Sequence, residues 1–290
     1  MSIRTKAELL LVAITVVWGA TFVVVKGALA DASPLVFIAI RFSLAGLLLA
    51  VVLGHGFRGL GRQVLGAGVL QGVFLFGGYA LQTWGLMFTT PSKSAFITGF
   101  SVVLVPLILA AGGAQLHFPS VASALTGLAG LYVLLAPSGS GTVNPGDLLT
   151  LGGSVSFAFQ VVLVGRYAER LPFRAVVPVQ ITAVGLLAAL SLPFGSHLRL
   201  AWTPGLLAAL AITSLFATAF AFSGQNWAQR YTPAAHTALI FALEPVFAAV
   251  TSRFATGERM GVRFLAGCTL ILGGMVISEF WGGRLSPVES

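Results

Sequence analysis

The sequence predicts an all-α polytopic membrane protein with ten transmembrane helices, arranged as two inverted five-helix repeats around a central cavity. Three observations predict this fold class. Ten apolar stretches fill the 290 residues, charged residues make up only 8% of the chain, and the two halves resemble each other. A hydrocarbon core of about 30 Å takes about 20 helical residues to cross, so these stretches leave no room for a soluble domain.

Glycine and proline residues separate the apolar stretches from one another. The first repeat, residues 1–140, contains the predicted spans 8–29, 33–54, 64–87, 92–112 and 118–136. The second repeat, residues 141–290, contains the predicted spans 147–168, 174–194, 204–227, 233–254 and 261–281. The longest connection, residues 137–146, is rich in Ser and Gly, and we expect it to act as a hinge between the repeats.

The first span has some features of a secretory signal peptide, because Arg4 and Lys6 precede it and Ala28-Leu29-Ala30 resembles a cleavage site. The apolar run from Leu9 to Val25 is longer than the usual signal-peptide core of about 7–15 residues. Lys26 also stands just before the candidate cleavage site. We therefore expect this segment to remain as an uncleaved membrane span.

The composition excludes several classes of protein. The net charge of +8 comes from Lys and Arg residues scattered over short connections, which is not the clustered patch of a nucleic-acid-binding protein. The single cysteine, Cys268, excludes an intrachain disulfide and a CxxC metal or redox site. We expect no metal, no cofactor and no nucleic-acid partner.

The distribution of positive charge predicts the orientation in the membrane. With the N-terminus inside, cytoplasmic segments contain nine Lys and Arg residues and outer segments contain five. The positive-inside rule then predicts a multi-pass protein of the inner (plasma) membrane with both termini in the cytoplasm.

The two halves align when the chain is shifted by 143 residues. Gln82 then falls on Gln225, and Trp84 falls on Trp227. The hydropathy pattern supports the match, since both windows cover the end of one span and the start of the next. A repeat of five spans is odd-numbered, so the second copy must cross the membrane in the opposite direction. Inverted repeats around a site at the midplane are typical of secondary transporters.

Short patterns in four spans resemble the EamA branch of the drug/metabolite transporter superfamily. These patterns are Trp18-Gly19-Ala20-Thr21-Phe22 with Lys26, Pro34 with Arg41-Phe42, Ser94-Ala95-Phe96-Ile97-Thr98-Gly99 with Val103-Leu104-Val105-Pro106, and Leu243-Glu244-Pro245-Val246-Phe247 with Gly257-Glu258-Arg259. The resemblance covers the whole chain. It implies an inner-membrane transporter of small organic solutes such as amino acids, metabolites or drugs, commonly an exporter, with a central cavity lined by both repeats.

Glu244 is the only acidic residue that we place near the middle of a span. A carboxylate in the bilayer core is costly, so it is a functional candidate by default. It could couple proton flow to solute movement or contact an ammonium group of the solute. Alternatively, it caps or hydrogen-bonds a neighbouring helix beside the break that Pro245 introduces.

The fourth and ninth spans carry equivalent polar stripes under the 143-residue shift, in which Ser94 maps onto Thr237 and Ser101 maps onto Glu244. Thr98 lies between the two serines. The stripes are predicted to face one shared cavity, although small polar residues also serve simple helix packing.

Other candidate cavity residues are aromatic rings and amides. Trp18 and Phe22 share one face of the first span and could stack on a solute or pack in the core. Amides bind polar solutes without burying a charge, but they also join helices to each other. The polar candidates of this kind are Tyr79, Gln82, Gln160, Gln225 and Asn226, with Gln71 weaker.

Three basic residues are candidates for a gate or for contact with an anionic group. Arg41 lies about two turns inside the second span and could pair with a carbonyl or with Asp31. Lys93 and His236 occupy equivalent positions at the starts of the fourth and ninth spans, where ordinary placement at a helix end also explains them. The sequence offers no cluster of His and Cys residues around His236, so it makes a poor metal site.

These features predict a secondary active transporter that works by alternating access. Its expected partners are a small-molecule substrate, the lipid bilayer and protons as the coupling ion. An uncoupled facilitator or channel is the alternative, and an intramembrane enzyme is a remote one, since HExxH, GxSxG and Walker patterns are missing from the sequence. Internal duplication lets one chain form a pathway, so a monomer or a homodimer is expected.

Overall fold

We analysed a computed structural model of the chain, which describes residues 1–53, 61–114, 118–135, 144–195 and 198–282. Regular structure in these ranges is helical, apart from one antiparallel bridge between Ala32 and Leu200. Residues 136–143 lie outside the described residues. They contain the boundary between the predicted repeats and most of the predicted hinge, residues 137–146.

The described ranges contain thirteen α-helices. They are α1 Ile3–Ala28, α2 Pro34–Leu53, α3 Arg62–Gly85, α4 Pro91–Gly99, α5 Ser101–Ala111, α6 Phe118–Leu135, α7 Pro145–Ala168, α8 Phe173–Ser191, α9 Pro204–Ser214, α10 Ala221–Ala228, α11 Ala234–Phe241, α12 Glu244–Thr256 and α13 Val262–Gly282. A π-helical turn, Leu215–Phe220, joins α9 to α10.

Seven helical segments in the described residues are long and apolar enough to cross a membrane. They are Ile3–Ala28, Pro34–Leu53, Arg62–Gly85, Pro91–Ala111, Pro145–Ala168, Phe173–Phe194 and Pro204–Ala228. The other three predicted spans coincide with α6, with the pair α11 and α12, and with α13. The count of ten crossings stays a prediction, and so does the inverted arrangement.

Proline and capping residues explain where several helices begin. Pro91, Pro145 and Pro204 stand in the first turn of α4, α7 and α9, where the missing N–H is not needed. Thr90 precedes α4 and Asn144 precedes α7. The side chain of each accepts a hydrogen bond from a backbone N–H in the first turn of its helix.

Glycine allows close packing between the two halves. α3 packs against α7 and α8, α2 against α8, α1 against α12, and α6 against α13. At Gly85 of α3, a methyl group would lie 2.5 Å from the carbonyl oxygen of Gly146 in α7. At Gly19 of α1, it would lie 2.7 Å from the carbonyl oxygen of Glu244. Small residues at such crossings let helix backbones approach each other in a membrane.

Two predicted spans are broken at equivalent positions. The fourth span is interrupted at Phe100, between α4 and α5, and the ninth at Ala242 and Leu243, between α11 and α12. Ser101 and Glu244 are therefore the first residues of the second helical halves. Their separation in sequence is the 143-residue shift that relates the two halves.

Candidate functional site

The helices enclose a central cavity of about 750 Å³, part of which is open to solvent. Its walls come from α1, α2, α3, α7, α10 and the two broken spans. Ten of the residues singled out from the sequence line it: Trp18, Phe22, Arg41, Tyr79, Gln82, Thr98, Ser101, Gln160, Gln225 and Glu244.

Aromatic rings form much of the cavity wall. The ring of Trp18 lies 5.3 Å from that of Phe222 and 4.9 Å from that of Phe241, measured between centroids. The indole N–H of Trp18 donates a hydrogen bond to the carbonyl oxygen of Ala217 at 2.9 Å. The orientation of this ring is therefore fixed by packing and by a polar contact together.

Arg41 is a buried cation, with only 2% of its surface exposed. Its Nε donates to the hydroxyl of Thr218 at 2.8 Å, and its Nη2 lies 3.4 Å from both the hydroxyl of Tyr79 and the carbonyl oxygen of Ala217. The guanidinium carbon also lies 4.7 Å from the centroid of the Tyr79 ring, which adds a cation–π contact. Asp31, a partner considered from the sequence, instead accepts a hydrogen bond from Thr203.

The π-helical turn explains how this cation is held. Ala217 and Thr218 belong to the turn Leu215–Phe220, where the i→i−4 pattern of hydrogen bonds is interrupted. The carbonyl of Ala217 is then available to accept from both Trp18 and Arg41. The turn therefore ties the eighth predicted span to the first and second.

Glu244 is the first residue of α12, and its partly exposed side chain faces the cavity. No hydrogen bond to its carboxylate is found among the described residues. Pro245 follows the break at residues 242 and 243, as predicted, and occupies a position that does not need an N–H.

A chain of buried amides lies beside the cavity. Gln225 donates from Nε2 to Oε1 of Gln160 at 3.3 Å and to Oε1 of Gln229 at 3.0 Å. Gln229 donates in turn to the carbonyl oxygen of Val161 at 3.1 Å. A second pair crosses from α3 to α4, where Nε2 of Gln82 donates to the hydroxyl of Thr98 at 2.9 Å.

Four of the predicted polar residues, with the weaker candidate Gln71 among them, do not line the cavity, so the two polar stripes reach it only in part. Ser94 lies 3.5 Å from the hydroxyl of Thr150 across a helix contact, and Thr237 lies 3.5 Å from the carbonyl oxygen of Thr232. Asn226 donates to the carbonyl oxygen of Phe222, one turn back along its own helix. These side chains are buried between helices and are not part of the cavity wall.

Lys93 and His236 lie outside the cavity, and each contacts a carboxylate of another helix. The Nζ atom of Lys93 is 2.5 Å from Oδ2 of Asp147, and Oδ1 of Asp147 accepts from Thr89 at 2.7 Å. The Nε2 atom of His236 is 3.3 Å from Oε1 of Glu8. Each pair joins a broken span to the first helix of the other half, α7 or α1.

Lys26 caps a helix. Its Nζ donates to the carbonyl oxygens of Leu86, Met87 and Thr89, which follow the last turn of α3. The ammonium group therefore satisfies carbonyls that the helix leaves without intrahelical partners.

Several cavity residues were not predicted from the sequence. Thr21 and Val25 line the cavity beside Trp18 and Phe22, and the helical periodicity of α1 could have identified them. Phe157 and Phe222 gave no such signal, because the chain contains 22 phenylalanines. The described part of the chain contains no group of three or more His, Cys, Asp or Glu side chains placed to hold a metal ion.

Comparison with known families gives two matches in one chain. The EamA-like transporter family matches residues 5–136 and, separately, residues 144–280.

Similar proteins cover nearly the full length. An uncharacterized transporter of Archaeoglobus fulgidus is 32% identical over 283 residues, which are 94% of this chain and 86% of that protein. The uncharacterized transporter YvbV of Bacillus subtilis is 29% identical over 283 residues, 93% of this chain and 90% of that protein. A solved crystal structure of a protein is 22% identical, covers 96% of this chain and 99% of its own, and superposes with a TM-score of 0.72. That similarity shows a shared fold.

Proposed function

Since this chain belongs to the EamA-like transporter family, and is thereby a multi-pass membrane protein, we propose that it is a secondary active transporter of small organic solutes. We propose further that it is an exporter of amino acids, metabolites or amphipathic drugs and works by alternating access. The observation that carries the proposal is the central cavity, to which helices from both halves contribute. A site between two related halves can face either side of the membrane in turn.

Internal duplication supports the two-repeat organisation, residues 1–140 and 141–290. The family matches once in each half, and the fourth and ninth spans break at positions 143 residues apart. The helix contacts follow the same relation. α2 packs on α8 and α6 packs on α13, so equivalent spans contact each other. Likewise, the contacts of α1 with α11 and α12 correspond to those of α7 with α4 and α5. A five-span repeat then requires the halves to have opposite orientations.

The Lys93–Asp147 ion pair and the His236–Glu8 contact support a gating role for Lys93 and His236. These residues occupy equivalent positions in the two halves, and each pairs with an acidic residue on the first helix of the other half. In the inverted arrangement, the Lys93–Asp147 pair and the His236–Glu8 pair lie at opposite ends of the pathway. Opening one end would separate one pair and leave the other in place.

The cavity residues supply the proposed solute contacts. Aromatic rings, among them Trp18 and Phe22, form an apolar wall, while Gln82, Thr98 and Ser101 supply uncharged polar groups. Such a lining suits amphipathic solutes, because the rings bury apolar surface and a few polar groups fix orientation. Glu244 is the proposed coupling group, since its carboxylate faces the cavity at a helix break. Arg41 is the proposed anchor for an anionic group.

The distribution of Lys and Arg supports a location in the inner membrane with both termini in the cytoplasm. Under this orientation the Lys93 pair lies at the outer end of the pathway and the His236 pair at the cytoplasmic end. Alkaline phosphatase fused to the C-terminus tests the orientation. Low activity is expected, and high periplasmic activity would reverse it.

The experiment that tests the function is a solute panel on purified protein in liposomes, with and without an imposed pH gradient. Amino acids, metabolites and amphipathic drugs form the panel, and empty liposomes are the control. We expect at least one class to move faster with protein, and faster again with the gradient. Acceleration without an effect of the gradient would support an uncoupled facilitator, and no acceleration would contradict the proposal.

A further inference from the structure

The amide chain beside the cavity has a fixed direction. The carbonyl oxygen of Val161 can only accept, so Gln229 must turn its NH₂ group toward it. The oxygen of Gln229 then faces the NH₂ of Gln225, which also donates to the oxygen of Gln160. One backbone carbonyl therefore determines the orientation of three side-chain amides.

This direction leaves two polar atoms free, one donor and one acceptor. Nε2 of Gln160 and Oε1 of Gln225 are buried and have no hydrogen-bond partner among the described residues. Both residues line the cavity. A buried polar atom without a partner is costly. Two such atoms, on residues that line the cavity, point to a ligand that reaches them from the cavity and supplies the missing partners.

The chemistry of the two atoms selects the ligand. The free N–H of Gln160 needs an acceptor, and the free oxygen of Gln225 needs a donor. A primary carboxamide carries both side by side. A carboxylate would bring only acceptors toward the Gln225 oxygen, and an ammonium group would leave the Gln160 N–H without a partner.

Aromatic rings lie next to these amides. Phe157 and Phe222 precede Gln160 and Gln225 by three residues, so each ring shares a helix face with one amide, and all four residues line the cavity. Tyr79 lies between the rings, 5.2 Å from Phe157 and 6.2 Å from Phe222. An apolar or aromatic body can pack there while its polar head reaches the amides.

We propose that Gln160 and Gln225 form a head-group site that binds the uncharged carboxamide of an aromatic or apolar solute. This inference rests on the proposed transport function, because it names the solute class that the same cavity would carry.

Binding of matched probes to the protein in nanodiscs tests the site by calorimetry. Benzamide, acetophenone and N,N-dimethylbenzamide are uncharged and share one ring, but only benzamide presents both an acceptor and N–H donors. We expect benzamide to bind at least about tenfold more tightly than the other two, as sites built on hydrogen bonds discriminate strongly. Equal affinities, or no binding of benzamide, would overturn the proposal.

Variants at the two amides provide the second test. Gln160→Leu and Gln225→Leu should each abolish the preference for benzamide, whereas Gln71→Leu, at a buried amide that does not line the cavity, should preserve it. Gln160→Glu replaces the free donor with an acceptor, so it should reverse selectivity and favour the cation benzamidine over benzamide. A Gln160→Glu variant that keeps the wild-type preference would overturn the assignment, even if the leucine variants fail to fold.

The outcomes separate the site from transport. If wild-type protein prefers benzamide in nanodiscs but moves no panel solute in liposomes, the proposed head-group site stands and the proposed transport function is contradicted. If the protein transports solutes but shows no preference for the carboxamide, the transport function stands and the head-group site is contradicted.

Discussion

Lys93 and Asp147 form an ion pair between α4 and α7, with 2.5 Å between Nζ and Oδ2. The carboxylate of Asp147 is fully buried, and it also accepts a hydrogen bond from Thr89. A buried carboxylate that is paired and hydrogen-bonded is tolerated, but removing one partner leaves an uncompensated charge. The pair therefore links α4, in the first half of the chain, to α7, in the second half.

Removing Lys93 should destabilise the protein. Lys93→Ala leaves Asp147 buried with Thr89 as its remaining side-chain partner, and we expect a loss of about 3 kcal/mol, the low end for a broken buried pair, because Lys93 is partly exposed. Thermal unfolding in detergent measures this loss. Lys6→Ala removes an exposed lysine and serves as the control.

The exchange of both charges, Lys93→Asp with Asp147→Lys, should recover part of the stability that either single change loses, since the attraction is restored. Losses that simply add in the double variant would contradict an energetic link between the two residues.

Replacement of Glu244 should separate solute movement from proton movement. Glu244→Gln keeps the shape of the side chain but cannot bind and release a proton. We therefore expect solute-driven proton movement to fall to background in liposomes that contain a pH-sensitive dye. Glu169→Gln, at an exposed acidic residue after α7, should behave as wild type. Full proton movement by the Glu244→Gln protein would remove this residue as the coupling group.

Gly19 should not tolerate a side chain. The methyl group in Gly19→Ala would lie 2.7 Å from both the Glu244 carbonyl oxygen and Cβ of Phe247, and so would force α1 away from α12. We expect a cost of about 1–3 kcal/mol for this overpacking, together with a loss of transport. Gly27→Ala on the same helix meets no atom within 4 Å and is the matched control.

The Gly19 prediction is checked by comparing thermal unfolding and liposome transport of the two alanine variants. Gly27→Ala should be neutral or slightly stabilising, since alanine favours the helix. If both variants behave alike, the close crossing at Gly19 is not a feature of the native protein.

Replacing the buried amide of Gln71 should stabilise the protein, in contrast to the destabilising changes at Lys93 and Gly19. Its side chain is fully buried, and neither amide atom has a partner in the described part of the chain. Gln71→Leu removes this unsatisfied group, so we expect a gain of about 1–3 kcal/mol and a higher Tm. Gln229→Leu, which deletes two hydrogen bonds of a buried amide, should lower the Tm. A lower Tm for Gln71→Leu would mean that the amide has a partner in the folded protein.

The sequence predicted the cavity residues best where two signals agreed. Trp18 and Phe22 share a helix face, and Ser101 and Glu244 correspond under the 143-residue shift; all four line the cavity. Periodicity assigns a face, and the internal repeat indicates which faces meet at the centre. The apolar stretches likewise predicted where the helices lie, because hydropathy reports burial in a bilayer directly.

Other features depend on geometry that sequence patterns do not encode. The π-helical turn at Leu215–Phe220 holds Arg41, yet its equivalent in α3 is an ordinary helix with similar composition. Ser94 and Thr237 extend the polar stripes in sequence, but they lie beyond the helix breaks and pack between helices. Asp147 stood at the predicted end of a span, where its deep burial with Lys93 could not be foreseen.

Counterflow in liposomes tests alternating access most directly. Liposomes are preloaded with an unlabelled solute that the panel identifies as transported, and uptake of the same labelled solute is followed with no pH gradient. A carrier whose cavity faces one side at a time should show transient accumulation of label, faster with preloading than without. Label that only equilibrates, at a rate independent of the solute inside, would contradict the account and indicate a channel.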